Sequence, residues 1–176
     1  LSGQSKGSEG LWVTPPETLT DTLRPYLAAG FAAHVHSNGD AAQAATLDAF
    51  VALRGAGLTS DLVIEHGGLI APEEQKRVGA ARAMVSAASH YVFTMAGAYR
   101  DALGPNRALW ISPLGGLTEA GAPVARHSDA PLAPPQPLRA AGAHVTRATR
   151  EGDVYARSQA LSPHEALEAV TLDAAR

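Results

Sequence analysis

Three short stretches, in fixed order, carry residue types that ligate metals: His34-Val35-His36-Ser37-Asn38-Gly39-Asp40, Ile64-Glu65-His66 and Arg126-His127-Ser128-Asp129-Ala130-Pro131. Each reads as the end of an apolar strand that finishes in imidazole or carboxylate. Neutral imidazole and carboxylate oxygen suit a divalent ion such as Zn²⁺, and side chains from several parallel strand ends can converge at the mouth of a barrel. The chain has no cysteine, which excludes thiolate ligands and disulfides and leaves His, Asp and Glu for any metal. A divalent metal lowers the pKa of a water to about 7 and polarises a carbonyl. A carboxylate such as Asp129 could then take the water proton and pass it to a departing nitrogen. Cleavage of an amide C–N bond needs both steps.

The elements that must position these residues alternate in type. Thr14-Pro15-Pro16-Glu17 announces a first helix, with Thr14 as N-cap and Leu19, Leu23 and Leu27 as its apolar face. Pro25 is expected to kink or shorten that helix. Phe31 to His36 reads as a buried strand. A helix from Ala41 to Arg54 follows, with Asp40 as N-cap and Ala44, Leu47 and Val51 on one face. Asp61 to His66 is the next strand, and Pro72-Glu73-Glu74 opens a short helix with acids in its first turn. Ala83 to Ala88 is a third strand, and a mixed segment then runs to a helical stretch ending near Gly121. Ala122 to Ser128 is the fourth strand. Helices are expected over Leu138 to Arg147 and from Ser162, where Ser162-Pro163-His164-Glu165 spells a capping box. This βαβα alternation predicts an α/β fold with parallel strands.

Spacing limits how the strands are numbered. A βαβ unit takes about 30 residues or more, which is the separation of His36 from His66, while Asp129 lies about three such units beyond His36. The four strands are therefore consecutive, and late ones, of a larger barrel.

Composition bounds the function from the other side. The 176 residues carry a formal net charge of −3 with no basic run, which gives no electrostatic footprint for nucleic acid or an anionic membrane surface. No apolar run approaches the roughly 20 residues of a membrane helix, and the start is not signal-like. The chain opens on Leu1 and closes at Arg176 inside a helical pattern, so both ends read as cut. A cytoplasmic location and a homo-oligomer are expectations of the same coarse kind.

The chain resembles amidohydrolase family 3, and within it is similar to N-substituted formamide deformylase-like proteins. The residues that carry the resemblance are His36-Ser37-Asn38-Gly39-Asp40, Ile64-Glu65-His66, Leu103-Gly104-Pro105-Asn106-Arg107-Ala108 and His127-Ser128-Asp129-Ala130-Pro131. Val145-Thr146-Arg147, Glu165-Ala166-Leu167 and Val170-Thr171-Leu172-Asp173-Ala174-Ala175 extend it, in collinear order, over nearly the whole chain. The resemblance implies a partial TIM-type (β/α)₈ barrel, strands five to eight with their helices, over residues 1–176. It implies His36 and His66 as metal ligands from strands five and six, and Asp129 as the strand-eight aspartate, both ligand and catalytic group. It also implies a small-molecule amide or formamide substrate. The family's first-strand H-x-H, any strand-four ligand and its small β-sandwich are not in this sequence. The fragment by itself is accordingly expected to be inactive, the activity belonging to a longer parent. The alternatives are a non-catalytic half-barrel that persists through association, and a metallohydrolase acting on another bond such as a phosphoester.

The remaining candidates are weighed on position. His36, His66 and Asp129 are expected to converge on one side of the sheet at the carboxyl ends of the strands. His34 shares a face with His36 and is expected to line the site rather than to ligate. His127 could touch substrate, orient Asp129 or simply pack. His90, with Tyr91 and Phe93 nearby, is a substrate-contact candidate at the mouth or a surface loop histidine. Strict alternation puts Glu65 on the face opposite His66, in a structural role at the barrel–helix layer. Asn38-Gly39 reads as a turn, and His144 and His164 as solvated helix positions.

Overall fold

A computed structural model describes residues 11–175 of the chain. Four strands, β1 (Ala33–Ser37), β2 (Leu62–His66), β3 (Met84–Ala88) and β4 (Val124–His127), form one parallel sheet in the order β1-β2-β3-β4. Parallel neighbours need crossover connections, and each crossover here carries helix. Between β1 and β2 lies α2 (Asp40–Gly55), preceded before β1 by α1 (Pro16–Ala28). Between β2 and β3 lies α3 (Pro72–Ala80). The longest crossover, from β3 to β4, holds α4 (His90–Phe93), α5 (Ala96–Leu103), α6 (Pro105–Ala108) and α7 (Leu114–Glu119). After β4 come α8 (Pro137–Thr146) and α9 (Pro163–Glu168). Sheet order equal to chain order, with helices interleaved, is the progression of a barrel wall, and the α/β class read from the sequence is the class of the molecule.

The sheet has two unlike faces. Ile64, Val85, Ala87 and Val124 point to the helices and pack with Leu47, Phe50 and Leu53 of α2, Val78 of α3, and Leu114 and Leu117 of α7. Leu47, Phe50 and Leu53 are wholly buried, and each such side chain contributes about 1.5–3 kcal/mol of burial free energy. Strand register defines the other face. His34 pairs with Val63, His36 with Glu65, Glu65 with Ser86, and Ala88 with His127. Partners in register point the same way, so His34, His36, Glu65, Ser86 and His127 share the face away from the helices.

Several local expectations shift. The first helix is capped at Pro15, not Thr14, because a residue followed by proline is held in extended backbone, and Pro16 becomes the first helical residue. Helix α1 runs past Pro25 to Ala28 rather than stopping short. Gly39, not Asp40, is the N-cap of α2, and Asp40 instead forms an ion pair with Arg107. The buried stripe of α2 is also rotated from the expected one. Gln43 Nε2 donates to the Ser37 carbonyl and Thr46 Oγ1 meets Ser37 Oγ at 3.2 Å, which turns Leu47, Phe50 and Leu53 inward and leaves Val51 47% exposed. The Ser162 capping box forms as read, with Glu165 N–H donating to Ser162 Oγ and Ser162 N–H to Glu165 Oε2. His164 is exposed beside Glu168, as expected, but His144 is completely buried. Among the described residues no helix is long and apolar enough to cross a membrane.

Candidate metal centre

At the carboxyl end of β2 and just beyond that of β4 the chain breaks the strand rule at a residue of metal-ligating type. Register pairs Ser37, not His36, with His66, so regular pleating would send the His66 ring to the helix side. His66 instead has φ 73°, a left-handed backbone that β-carbon-bearing residues adopt at a cost of order 1–3 kcal/mol. The departure swings its ring to 4.4 Å from that of His36 and 5.1 Å from that of His127, centroid to centroid. Asp129, two residues beyond His127, also has positive φ, 55°, and its Oδ2 lies 3.7 Å from His66 Nδ1.

The turn after His66 depends on two glycines. A β-carbon on Gly67 would stand 2.5 Å from Val85 Cγ1, and one on Gly68 would stand 2.0 Å from Asn38 Oδ1. Asn38 is therefore more than the turn residue it reads as. It packs against the backbone that follows His66, and its side chain is also within hydrogen-bonding reach of Tyr91 and Tyr99. Burial raises the pKa of both tyrosines, which stay protonated at neutral pH.

His66, His127 and Asp129 bring one nitrogen or oxygen each to within 4.8 Å of one another. Two imidazoles and a carboxylate are a donor set that Zn²⁺ accepts. The hydrogen bonding agrees. His66 Nδ1 is buried without a hydrogen-bond partner, an orphan that a metal would satisfy. His127 Nε2 lies 3.2 Å from the Ser86 carbonyl, which can only accept, so this nitrogen donates and Nδ1 is the ring atom left for a metal. Ligating histidines commonly donate their other N–H in this way. Burial, with His36 next in effect, pulls the His66 pKa below the ordinary imidazole value despite the opposing pull of Asp129. A neutral His66 is the form that ligates.

The placement of the other candidates follows. His36 is exposed and lies against the edge of His66, outside the group of three. His34 Nδ1 donates to Glu65 Oε1 at 2.7 Å, and Glu65 Oε2 lies 3.7 Å from His127 Nε2. Glu65 is thus not at the barrel–helix layer. It obeys the pleat and stands on the polar face, while His66 is the residue that leaves it. Burial pushes the Glu65 carboxyl up, but hydrogen bonds from His34 and Ser86 and the charge of His127 outweigh it and hold the pKa below its ordinary value. His90 is buried at the start of α4, its ring 4.4 Å from that of Tyr91, and burial lowers its pKa. Sequence reasoning missed the inward Glu65 and the Tyr91–Tyr99–Asn38 group. Parallel register would have placed the first; only tertiary packing brings the second together.

Two solved structures share this fold. An uncharacterized metal-dependent hydrolase from Pyrococcus furiosus matches with a TM-score of 0.79 and 23% identity over 96% of this chain and 33% of its own. A second, from Pyrococcus horikoshii OT3, matches with a TM-score of 0.81 and 24% identity over 97% of this chain and 34% of its own. The chain therefore spans about a third of the length of these proteins. No curated protein matches it. The model of the amidohydrolase family matches residues 6–176, nearly the whole sequence, and the chain belongs to that family.

Proposed function

We propose that this chain is the later half, strands five to eight, of a (β/α)₈ barrel from a metal-dependent hydrolase that cleaves a non-peptide C–N bond of an amide or N-substituted formamide. The observation that carries the reading is the His66, His127 and Asp129 group at the carboxyl ends of parallel strands, with His66 Nδ1 buried and without a hydrogen-bond partner. Family membership and a donor set suited to Zn²⁺ support it. These three residues, with His36 beside them, would hold the ion, and when bound it would supply an acidified water and a polarised carbonyl.

The chain's own residues supply the rest. Asp129 sits where a carboxylate can accept the water proton and return it to the leaving nitrogen. Ser86 orients His127 through its carbonyl, and Glu65 fixes His34 and faces His127. Asn38 lies against Gly68 in the turn after His66, with Tyr91 and Tyr99 beside it. His34, His90 and His127 border the space in which a small substrate would lie.

The test has two arms. Zinc titration of this chain should show weak binding that falls further in His66→Ala; binding unchanged by that substitution removes His66 from the site. The full-length parent should hydrolyse members of a panel of amides and N-substituted formamides, lose activity to a chelator and regain it with Zn²⁺, while this chain alone shows none above background. Turnover of a phosphoester but no amide would replace the C–N reading.

A further inference from the structure

We propose that the cavity enclosed by α4, α8 and the loop after β4 receives one flank of the substrate, and that Arg139 selects there a compact apolar group bearing a carboxylate. The inference deepens the hydrolase reading and rests on it for the identity of the occupant as substrate.

The cavity measures about 230 Å³ and is lined by His90, Phe93, Leu132, Arg139, Ala143 and Arg150, among others. An apolar cavity of about 150 Å³ is enough for benzene, so a phenyl-sized group fits with room for a small polar end. It adjoins the metal centre. Ser89, in its wall, donates its N–H to the His127 carbonyl at 3.4 Å, and the next residue, His90, feels the charges of Asp129 and His127. His90 is 6% exposed and its Nδ1 has no hydrogen-bond partner.

The electrostatics of the wall are one-sided. It contains two guanidinium groups and no carboxylate. Arg150 is tied to Glu151, at 3.2 Å. The Arg139 guanidinium carbon lies 4.6 Å from the centroid of the Phe93 ring, and its hydrogen bond to Gln136 is long, 3.4 Å; among the described residues it pairs with no acid. A guanidinium over an aromatic ring, with one long hydrogen bond and no acid to pair, has donors left for bidentate capture of a carboxylate. Arg139 and Arg150 are exposed while His90, Ala140 and Ala143 are buried, so the charge is at the mouth and the apolar and imidazole surface is at the floor.

The experiment uses this chain, isotope-labelled and stripped of metal with a chelator, so that no carboxylate can be captured by an ion and the result does not depend on hydrolase activity. Phenylacetate should shift the amide resonances of His90, Phe93 and Ala143, and acetate should not. Arg139→Gln, at an exposed position where folding is unaffected, should weaken phenylacetate roughly fivefold, the scale of a solvent-exposed ion pair. Neutral phenylacetamide should bind both proteins alike. Phenylacetate binding that Arg139→Gln leaves unchanged, shifts confined to other regions, or no shift at the solubility limit of the probe would each overturn the proposal. Binding as expected in a chain whose parent shows no metal-dependent turnover would uphold the pocket while removing the hydrolase reading.

Discussion

Arg126 and His127 are adjacent in β4 and enter opposite surroundings. His127 points to the open face, where it joins His66 and Asp129. Arg126 points to the helices, where it is 7% exposed beside His144 and Arg147, both wholly buried. Each region concentrates polar atoms in partial or complete burial, and they differ in how those atoms are satisfied. On the helix side, Arg147 donates to the carbonyls of Ile111, Ser112 and Tyr155 at 2.7, 2.9 and 3.1 Å, and Arg126 to those of Ala140 and Ala166 at 3.2 and 2.8 Å. Main-chain oxygen answers the cations, and the network pins loops to α8 and α9. On the open face, orphaned imidazole nitrogen stands beside a carboxylate with solvent access. The comparison separates a structural polar cluster from one arranged to receive a ligand: the arginines of the first direct their terminal donors to main-chain carbonyls, with Arg126 Nε and both His144 nitrogens sealed in beside them, whereas the second gathers three ligand-type atoms within 4.8 Å of one another on a face that solvent reaches.

The largest expected effect breaks the open side. In the full-length parent, Asp129→Asn should reduce kcat by about 10²–10⁴ while leaving the fold intact, because the amide keeps the shape and cannot transfer the proton. Steady-state kinetics beside thermal unfolding checks it, and near-normal turnover would make Asp129 structural. The helix side should answer in the opposite currency. Arg147→Met leaves two buried carbonyls and one half-buried carbonyl without this donor, and each unsatisfied buried group costs about 1–3 kcal/mol, so a destabilisation of about 2 kcal/mol or more is expected. Burial lowers the Arg147 pKa only to about 10, so the wild-type side chain is charged at neutral pH and the loss includes charged hydrogen bonds. Denaturant unfolding measures it. A change below about 0.5 kcal/mol, the range of ordinary surface substitutions, would contradict the role assigned to the network.

How much of this was legible in the sequence follows from the same two regions. Strand positions were legible because apolar runs bounded by turn residues leave little choice, and Ser162–Glu165 was legible because a capping box is a local device. The α2 stripe was not, since its rotation is set by Gln43 and Thr46 bonding to Ser37 in another element. Strict alternation placed Glu65 away from the site because it assumed that His66 stays in β geometry. The backbone instead turns left-handed at His66, where Gly67 and Gly68 let the chain pass close to Val85 and Asn38. His144 read as solvated because a histidine on a polar-looking helix face gives no sign of the two arginines that pack over it. Position along the chain was informative; which atoms share a space was not, wherever it depended on long-range contact.

The smallest expected effect concerns His144 and sharpens the helix side alone. Burial, reinforced by the charges of Arg126 and Arg147, drives its pKa well below the ordinary imidazole value of 6.5, and neither ring nitrogen has a hydrogen-bond partner. The folded state therefore holds it neutral. Once the chain unfolds the imidazole is free to bind a proton near pH 6.5, so below that value the unfolded state carries more protons than the folded one. Stability from this residue is fully present above pH 6.5 and is lost as the pH falls toward the folded-state pKa, by up to about 1.4 kcal/mol per pH unit. His66 and His90, whose values are also lowered, add slopes of the same sign. Denaturation of metal-free protein between pH 7.5 and 5.5, above the ordinary carboxylate range, should show wild type weakening with acid and His144→Leu weakening less. Equal slopes in the two proteins would mean that His144 is reached by solvent, and that the closed side of β4 opens more readily than its packing requires.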